Sequence, residues 1–126
     1  MELDESKSKT VMYSTSLPKG LKKSLHKSAG LLHRKKSDWI RTALNLFFSQ
    51  SEKEQDRQIL NNYEKIGLNQ LEPFTTTLYE SQLRKLELLS KTLKRSKVEI
   101  LRTAVFLFSK KDSAKQEAEI KKYLSW

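Results

Sequence analysis

The side chains able to do acid–base or metal chemistry are few. His26 and His33 are the only imidazoles in the 126-residue chain, and there is no cysteine. Seven residues apart, the two histidines would share a helix face, but no carboxylate or third ligand stands beside them in sequence. A metal site is therefore not expected, and surface histidine beside phosphate suits the pair better. The three glycines, Gly20, Gly30 and Gly67, are too scattered for a phosphate-cradling loop. No serine or threonine sits in a recognisable nucleophile motif. These residues point to binding, with neither enzymatic activity nor a cofactor expected.

What the chain has in excess is positive charge. Lysine and arginine number 25 against 15 acids, a formal net charge of +10. From Ser6 to Ser37 there are nine basic residues (Lys7, Lys9, Lys19, Lys22, Lys23, Lys27, Arg34, Lys35 and Lys36) and no acid. A solvated face normally mixes both signs. A run of one sign favours a polyanion, either nucleic acid or an acidic membrane surface. No stretch approaches the ~18–20 apolar residues of a membrane span. The polar start, MELDESKSK, does not read as a secretory signal. The expected location is cytoplasmic and nucleoid-associated, with no membrane partner.

Something must position those charges. Hydrophobic residues make up 37% of the chain and charged residues 32%, a thin core for one small unit. Without disulfides, a partner or an internal duplicate is needed to bury enough surface. The sequence supplies the duplicate. Arg41-Thr42-Ala43 recurs sixty-one residues later as Arg102-Thr103-Ala104. Laid without a gap over 74–108, residues 13–47 are identical at eleven of 35 positions, where chance would give roughly two. The identities are Thr15, Leu17, Leu25, Leu32, Arg34, Lys36, Arg41, Thr42, Ala43, Leu46 and Phe47 with their counterparts.

Each copy opens on strand-type residues, Val11–Leu17 and Phe74–Leu78. A period of two puts Val11, Tyr13, Thr15 and Leu17 on one face and Met12, Ser14 and Ser16 on the other. In the second copy Phe74, Thr76 and Leu78 oppose Thr75 and Thr77. Pro73 fits only a strand start or an edge. A helix follows, with Leu21, Leu25 and Leu32, then Leu83, Leu86, Leu89 and Leu93, at helical spacing. After a basic joint, Arg34-Lys35-Lys36-Ser37 or Arg95-Ser96-Lys97-Val98, a second helix begins. Ser96 and Glu99 form a capping box; Lys35 replaces that serine in the first copy, so its cap is weaker or moves to Ser37. The second helices are apolar round much of their circumference, as expected if each packs against the other. One strand cannot form a sheet, so the two copies are expected to pair strand with strand.

This order of elements resembles the ribbon-helix-helix family of prokaryotic DNA-binding proteins, the class of the Arc and Met repressors. The resemblance covers roughly residues 10–48 and 71–109. It rests on Thr75-Thr76-Thr77-Leu78, the leucine stripe and Lys94–Arg102 in the second copy. In the first copy it rests on Ser16-Leu17-Pro18 and Ser37–Arg41. It implies a mainly α fold with a two-stranded antiparallel ribbon, two units forming an intramolecular pseudo-dimer, and a ribbon that enters the major groove of duplex DNA. It further implies base contacts from Met12, Ser14, Ser16, Pro73, Thr75 and Thr77. Phosphate contacts would come from the second-helix N-termini, at Lys35, Lys36 and Ser37 and at Ser96, Lys97 and Val98. The ribbon face lacks the arginine, lysine, asparagine or glutamine that reads bases bidentately, so base readout is expected to be weak, water-mediated, or supplemented by Lys9 and the N-terminal arm.

The domains expected are a first unit at 10–49, a helical linker at 50–70, a second unit at 71–110 and a helical tail at 111–126. The linker carries a cap pattern, Ser51 with Glu54, an apolar set Ile59, Leu60, Tyr63 and Ile66, and a stop at Gly67. The tail has Ile120, Tyr123 and Leu124 at helical spacing, with Glu117 four residues before Lys121. It either caps the core or docks another protein. The function expected is a sequence-specific transcriptional regulator of the repressor type. The alternatives are an accessory DNA-binding protein in plasmid transfer or partition, and an antitoxin-like protein holding a partner through the tail. Self-association of two chains on adjacent turns of DNA is also open.

Overall fold

A computed structural model describes residues 9–67 and 69–124. Among these, two strands and six helices follow in the order β1 (Thr10–Pro18), α1 (Lys19–Leu31), α2 (Lys36–Phe48), α3 (Glu52–Ile66), β2 (Leu71–Tyr79), α4 (Glu80–Leu93), α5 (Lys97–Ser109) and α6 (Ser113–Leu124). The chain is mainly helical, with one two-stranded antiparallel sheet.

Both strands are longer than their β-rich cores because all nine residues of each are paired, from Thr10 with Tyr79 to Pro18 with Leu71. The ladder runs one step further at each end, where the Lys19 and Glu80 amides donate to the carbonyls of Gln70 and Lys9. Ser14 pairs with Thr75, the residue that matches it in the repeat. Every other pairing is therefore mirrored: Tyr13 faces Thr76 as Thr15 faces Phe74. Alternation does the rest. Leu17, Phe74, Thr76 and Leu78 are buried, while Met12, Ser14, Pro73 and Thr75 are exposed. Pro73 lies inside β2, as its third residue. The Pro73 carbonyl accepts from Lys22 Nζ outside the ribbon, so this residue's missing N–H also faces the free edge and breaks no ladder bond.

Beneath the ribbon, α2 packs against α5, as the apolar circumference of each requires. Trp39 meets Phe108 edge-on at 4.8 Å between ring centroids, and Ile40, Leu44, Ile100, Leu101 and Val105 are fully buried around them. The capping box at Ser96 and Glu99 forms in both directions. The first copy caps differently: Lys35 is the N-cap of α2, no side chain bonds the free amides, and Ser37 does not take over.

The correspondence between the copies continues past the window 13–47. Helices α3 and α6 are also matched by the sixty-one-residue shift. Gln55 donates its amide to the Phe47 carbonyl at 2.9 Å, and Gln116 donates to that of Phe108 at 3.1 Å. Ile59 and Ile120 are both fully buried. Each of these helices packs across to the other copy, α3 on α5 and α6 on α2. Matching ion pairs hold them: Arg34 to Glu117 at 3.1 and 2.5 Å, and Arg95 to Asp56 at 3.4 Å. The Arg34 guanidinium also holds the Glu117 carboxyl below the ordinary carboxylate range.

The apolar set read for the linker divides. Ile59 is buried and Ile66 half-buried, but Leu60 and Tyr63 face solvent; Gln55 and Asn62 are buried instead. At Ser51 only half of the cap forms, its hydroxyl accepting from the Glu54 amide while the Glu54 carboxylate turns to Arg57. In the tail, Ile120 is buried and Tyr123 half-buried. The Leu124 side chain and Trp126 lie outside what the structure describes, as does the N-terminal arm before Lys9.

Gly67 ends α3 at φ 68°, ψ 174°, a conformation that only glycine adopts readily. A Cβ there would have room, its nearest neighbour being the Glu64 carbonyl at 3.9 Å. Gly67→Ala should therefore cost only backbone strain, about 1–3 kcal/mol by chemical denaturation. A neutral substitution would mean that the turn into β2 relaxes freely.

Candidate nucleic-acid interface

The ribbon's outer face gathers five of its six expected residues as small polar or rigid groups around one large apolar side chain. Met12 is 74% exposed. Ser14 and Thr75 meet at the centre of the face, hydroxyl to hydroxyl at 3.1 Å. A hydroxyl paired this way still has lone pairs and a rotatable proton to offer a base edge. Pro73 is exposed beside them.

Ser16 and Thr77 differ from the other four. They share the outer face but are half-buried, because arginines from the helices below reach them. Arg102 donates to the Ser16 carbonyl at 3.1 and 3.0 Å and to its hydroxyl at 2.9 Å. Arg41, its repeat partner, does the same to Thr77, at 3.0 Å to the carbonyl and 2.5 Å to the hydroxyl. Both hydroxyls act here as acceptors, so each keeps one proton to donate. The arginines tie the ribbon to α2 and α5 and satisfy carbonyls on its open edges. Burial lowers the Arg102 pKa from its ordinary value, although arginine stays charged at any physiological pH. Arg41 also stacks on the Tyr79 ring at 4.6 Å and pairs with Asp38 at 3.5 Å. The repeat identity at these two positions was visible in sequence. Their role was not, because their partners are backbone atoms remote in the chain.

At the flanks stand the N-termini of α2 and α5, which bring together Lys35, Lys36 and Ser37 on one side and Ser96, Lys97 and Val98 on the other. Free amides at a helix start, with the positive end of the helix dipole, attract anions. Lys35 and Lys36 are exposed. Ser37 and Val98 are half-buried, and Val98 has only its backbone amide to give. The α5 start is already occupied in part, since Ser96 and Glu99 satisfy each other.

Two residues within the basic segment, Lys22 and His26, gain a place that spacing did not reveal. Lys22 reaches from α1 to the ribbon edge, 2.9 Å from the Pro73 carbonyl and 3.6 Å from Glu72. His26, one turn along, sits beside Phe74 at 6.4 Å between ring centroids. Burial pushes its pKa below the usual value, Lys36 and Lys22 push it further, and Glu72 opposes them. His33 does not share its helix face. Helix α1 ends at Leu31, and His33 lies beyond it in the left-handed region at φ 56°, as does its repeat partner Lys94. Among the described residues no group of three potential metal ligands comes together, and no helix is long and apolar enough to cross a membrane. No protein-family model matches the chain, and no curated protein or solved structure matches it either.

Proposed function

We propose that this chain binds double-stranded DNA as an intramolecular pseudo-dimer of two ribbon-helix-helix units and acts as a sequence-specific transcriptional regulator, a repressor. The observation that carries the reading is the pairing of Ser14 with its repeat partner Thr75. A pseudo-two-fold axis through that pair relates β1 to β2, Arg41 to Arg102 and Arg34 to Arg95. A two-stranded ribbon fits the ~12 Å major groove. Here its exposed face bears hydroxyls and a methionine, its buried face is fixed to the core, and a helix start flanks it on each side, the first of them crowned by Lys35 and Lys36. Base discrimination then falls to Ser14, Thr75, Met12 and Pro73, with single donations from Ser16 and Thr77. Affinity falls to the flanking charges, because phosphate contacts position a protein on DNA and base contacts specify the sequence.

Docking of a protein partner through the tail has less support, since Gln116, Glu117 and Ile120 are already engaged with α2 and its neighbourhood. Service in plasmid transfer or partition would use the same DNA interface.

The test is selection of duplexes from a random pool, followed by titration of the enriched site against salt. A short motif should emerge and bind at least ~10³-fold tighter than random duplex. Binding that merely fades with salt, without a motif, would overturn the regulator reading. No duplex binding at all would overturn DNA recognition.

A further inference from the structure

The two flanks of the ribbon are matched by the repeat but not in charge. On the first flank stand Lys22, His26, Lys35 and Lys36. The sixty-one-residue shift turns these into Leu83, Glu87, Ser96 and Lys97. Lys97 is drawn to Glu87 at 3.8 Å. Among the described residues Lys35 and Lys36 have no such ion pair, and the α2 start they crown has no side-chain cap. On the second flank Glu99 adds a carboxylate at the start of α5. Its counterpart Asp38 is 3.5 Å from Arg41. Lys22 is offset in part by Glu72 at 3.6 Å, so the first flank keeps its excess of positive charge through Lys35 and Lys36, while on the second Glu87 and Glu99 offset Lys97.

Resting on the DNA-binding reading above, we propose that phosphate anchoring is one-sided: Lys22, His26 and Lys36 form an anion site on the first flank alone, and His26 makes its grip proton-dependent. The chemistry recognised is a phosphodiester of the duplex backbone. Lys36 approaches it from the uncapped start of α2, and Lys22 and His26 approach from α1 beside the ribbon edge at Glu72–Phe74. In the free protein the groups facing His26 are Lys22 on its own helix, Lys36 on α2 and Glu72 on β2. Two of the three repel its proton. A phosphate placed among them reverses that balance and raises the affinity of His26 for a proton. Binding then takes up a proton and strengthens as pH falls through the bound-state pKa. It levels off below the free-state pKa, which lies under the ordinary 6.5. A one-unit rise in pKa on binding corresponds to about tenfold in affinity at the acidic limit. On the second flank Glu87 stands where His26 does, so no imidazole is placed there. With one strong and one weak anchor, the chain also engages a duplex in a preferred direction despite its duplicated frame.

The experiment compares affinity for one 20-base-pair duplex at pH 5.5 and pH 8, at fixed salt, for the full chain and single variants. The full chain should bind roughly five- to tenfold tighter at pH 5.5. His26→Gln should flatten that dependence, while His33→Gln retains it. At pH 7 Lys36→Ala should weaken binding about tenfold and Lys97→Ala less than twofold. Equal losses from the two lysines, or a pH dependence that survives His26→Gln, would overturn the proposal. If the full chain binds no duplex, the DNA reading fails separately, and the anion site is judged by the His26 ring resonances titrated with and without sodium polyphosphate. A His26 pKa raised by polyphosphate keeps the site; an unchanged one removes it.

Discussion

Trp39→Ala should remove about 4 kcal/mol of folding stability, a large part of what a domain of this size has to lose. Trp39 is fully buried on α2 and joins it to two other helices. Its ring packs edge-on to Phe108 of α5. Its Nε1–H donates to Gln116 Oε1 of α6 at 3.1 Å. Truncation removes the largest side chain of the core and leaves a cavity, for which losses of ~3–5 kcal/mol are usual. It also deprives a buried amide oxygen of its donor, a further penalty of order 1 kcal/mol where water cannot enter. Against a total stability of ~5–15 kcal/mol for a small domain, that is a large fraction. The measurement is urea unfolding followed by far-ultraviolet circular dichroism, which does not depend on the tryptophan removed. A loss below about 1.5 kcal/mol would show that α6 and α5 close over the gap. Trp39 would then not be a centre of packing.

The Trp39 contact also shows where sequence reading stopped. The ribbon was legible because alternation is a local signal: Phe74, Thr76 and Leu78 are buried while Pro73 and Thr75 are exposed, as a period of two demands. The contact of α2 with α5 was legible because their apolar circumference leaves no other solution. The third helices were read separately, as linker and tail, because their strongest match is polar. Gln55 and Gln116 each cap the preceding helix through a backbone carbonyl, and hydrophobic periodicity cannot see this. The same blindness promoted Leu60 and Tyr63, apolar residues that face solvent. Extending the sixty-one-residue shift would have found Gln55 with Gln116 and Ile59 with Ile120. At the ribbon face, alternation placed Met12, Ser14, Ser16, Thr75 and Thr77 on the outer side but did not give their condition. Ser16 and Thr77 are partly covered because Arg102 and Arg41 arrive from helices remote in sequence, and nothing local to a strand encodes that.

Those arginine-tied positions direct the sharpest functional test to the centre of the ribbon. Thr75→Asp should abolish high-affinity duplex binding, a loss on the order of 100-fold or more, while leaving the fold intact. Thr75 is exposed, so a carboxylate there stays hydrated in the free protein, and surface substitutions of this kind usually cost within ~0.5 kcal/mol. The one contact at risk is the 3.1 Å hydroxyl pair with Ser14, itself solvent-facing. In a groove-bound state the same carboxylate would lie at the centre of the contact, between two phosphate backbones. There it must shed water without gaining a cation, because the arginines that reach the ribbon, Arg41 and Arg102, are committed to Thr77 and Ser16. Repulsion from the duplex adds to that cost and weakens with salt. Thr75→Val separates the two effects. It keeps shape and neutrality, so it should bind random duplex normally and lose only the preference for the selected site. Unchanged binding by Thr75→Asp, in a protein with unaltered urea midpoint, would mean that the ribbon does not face the DNA. The basic flank at Lys22 and Lys36 would then have to hold the duplex on some other surface.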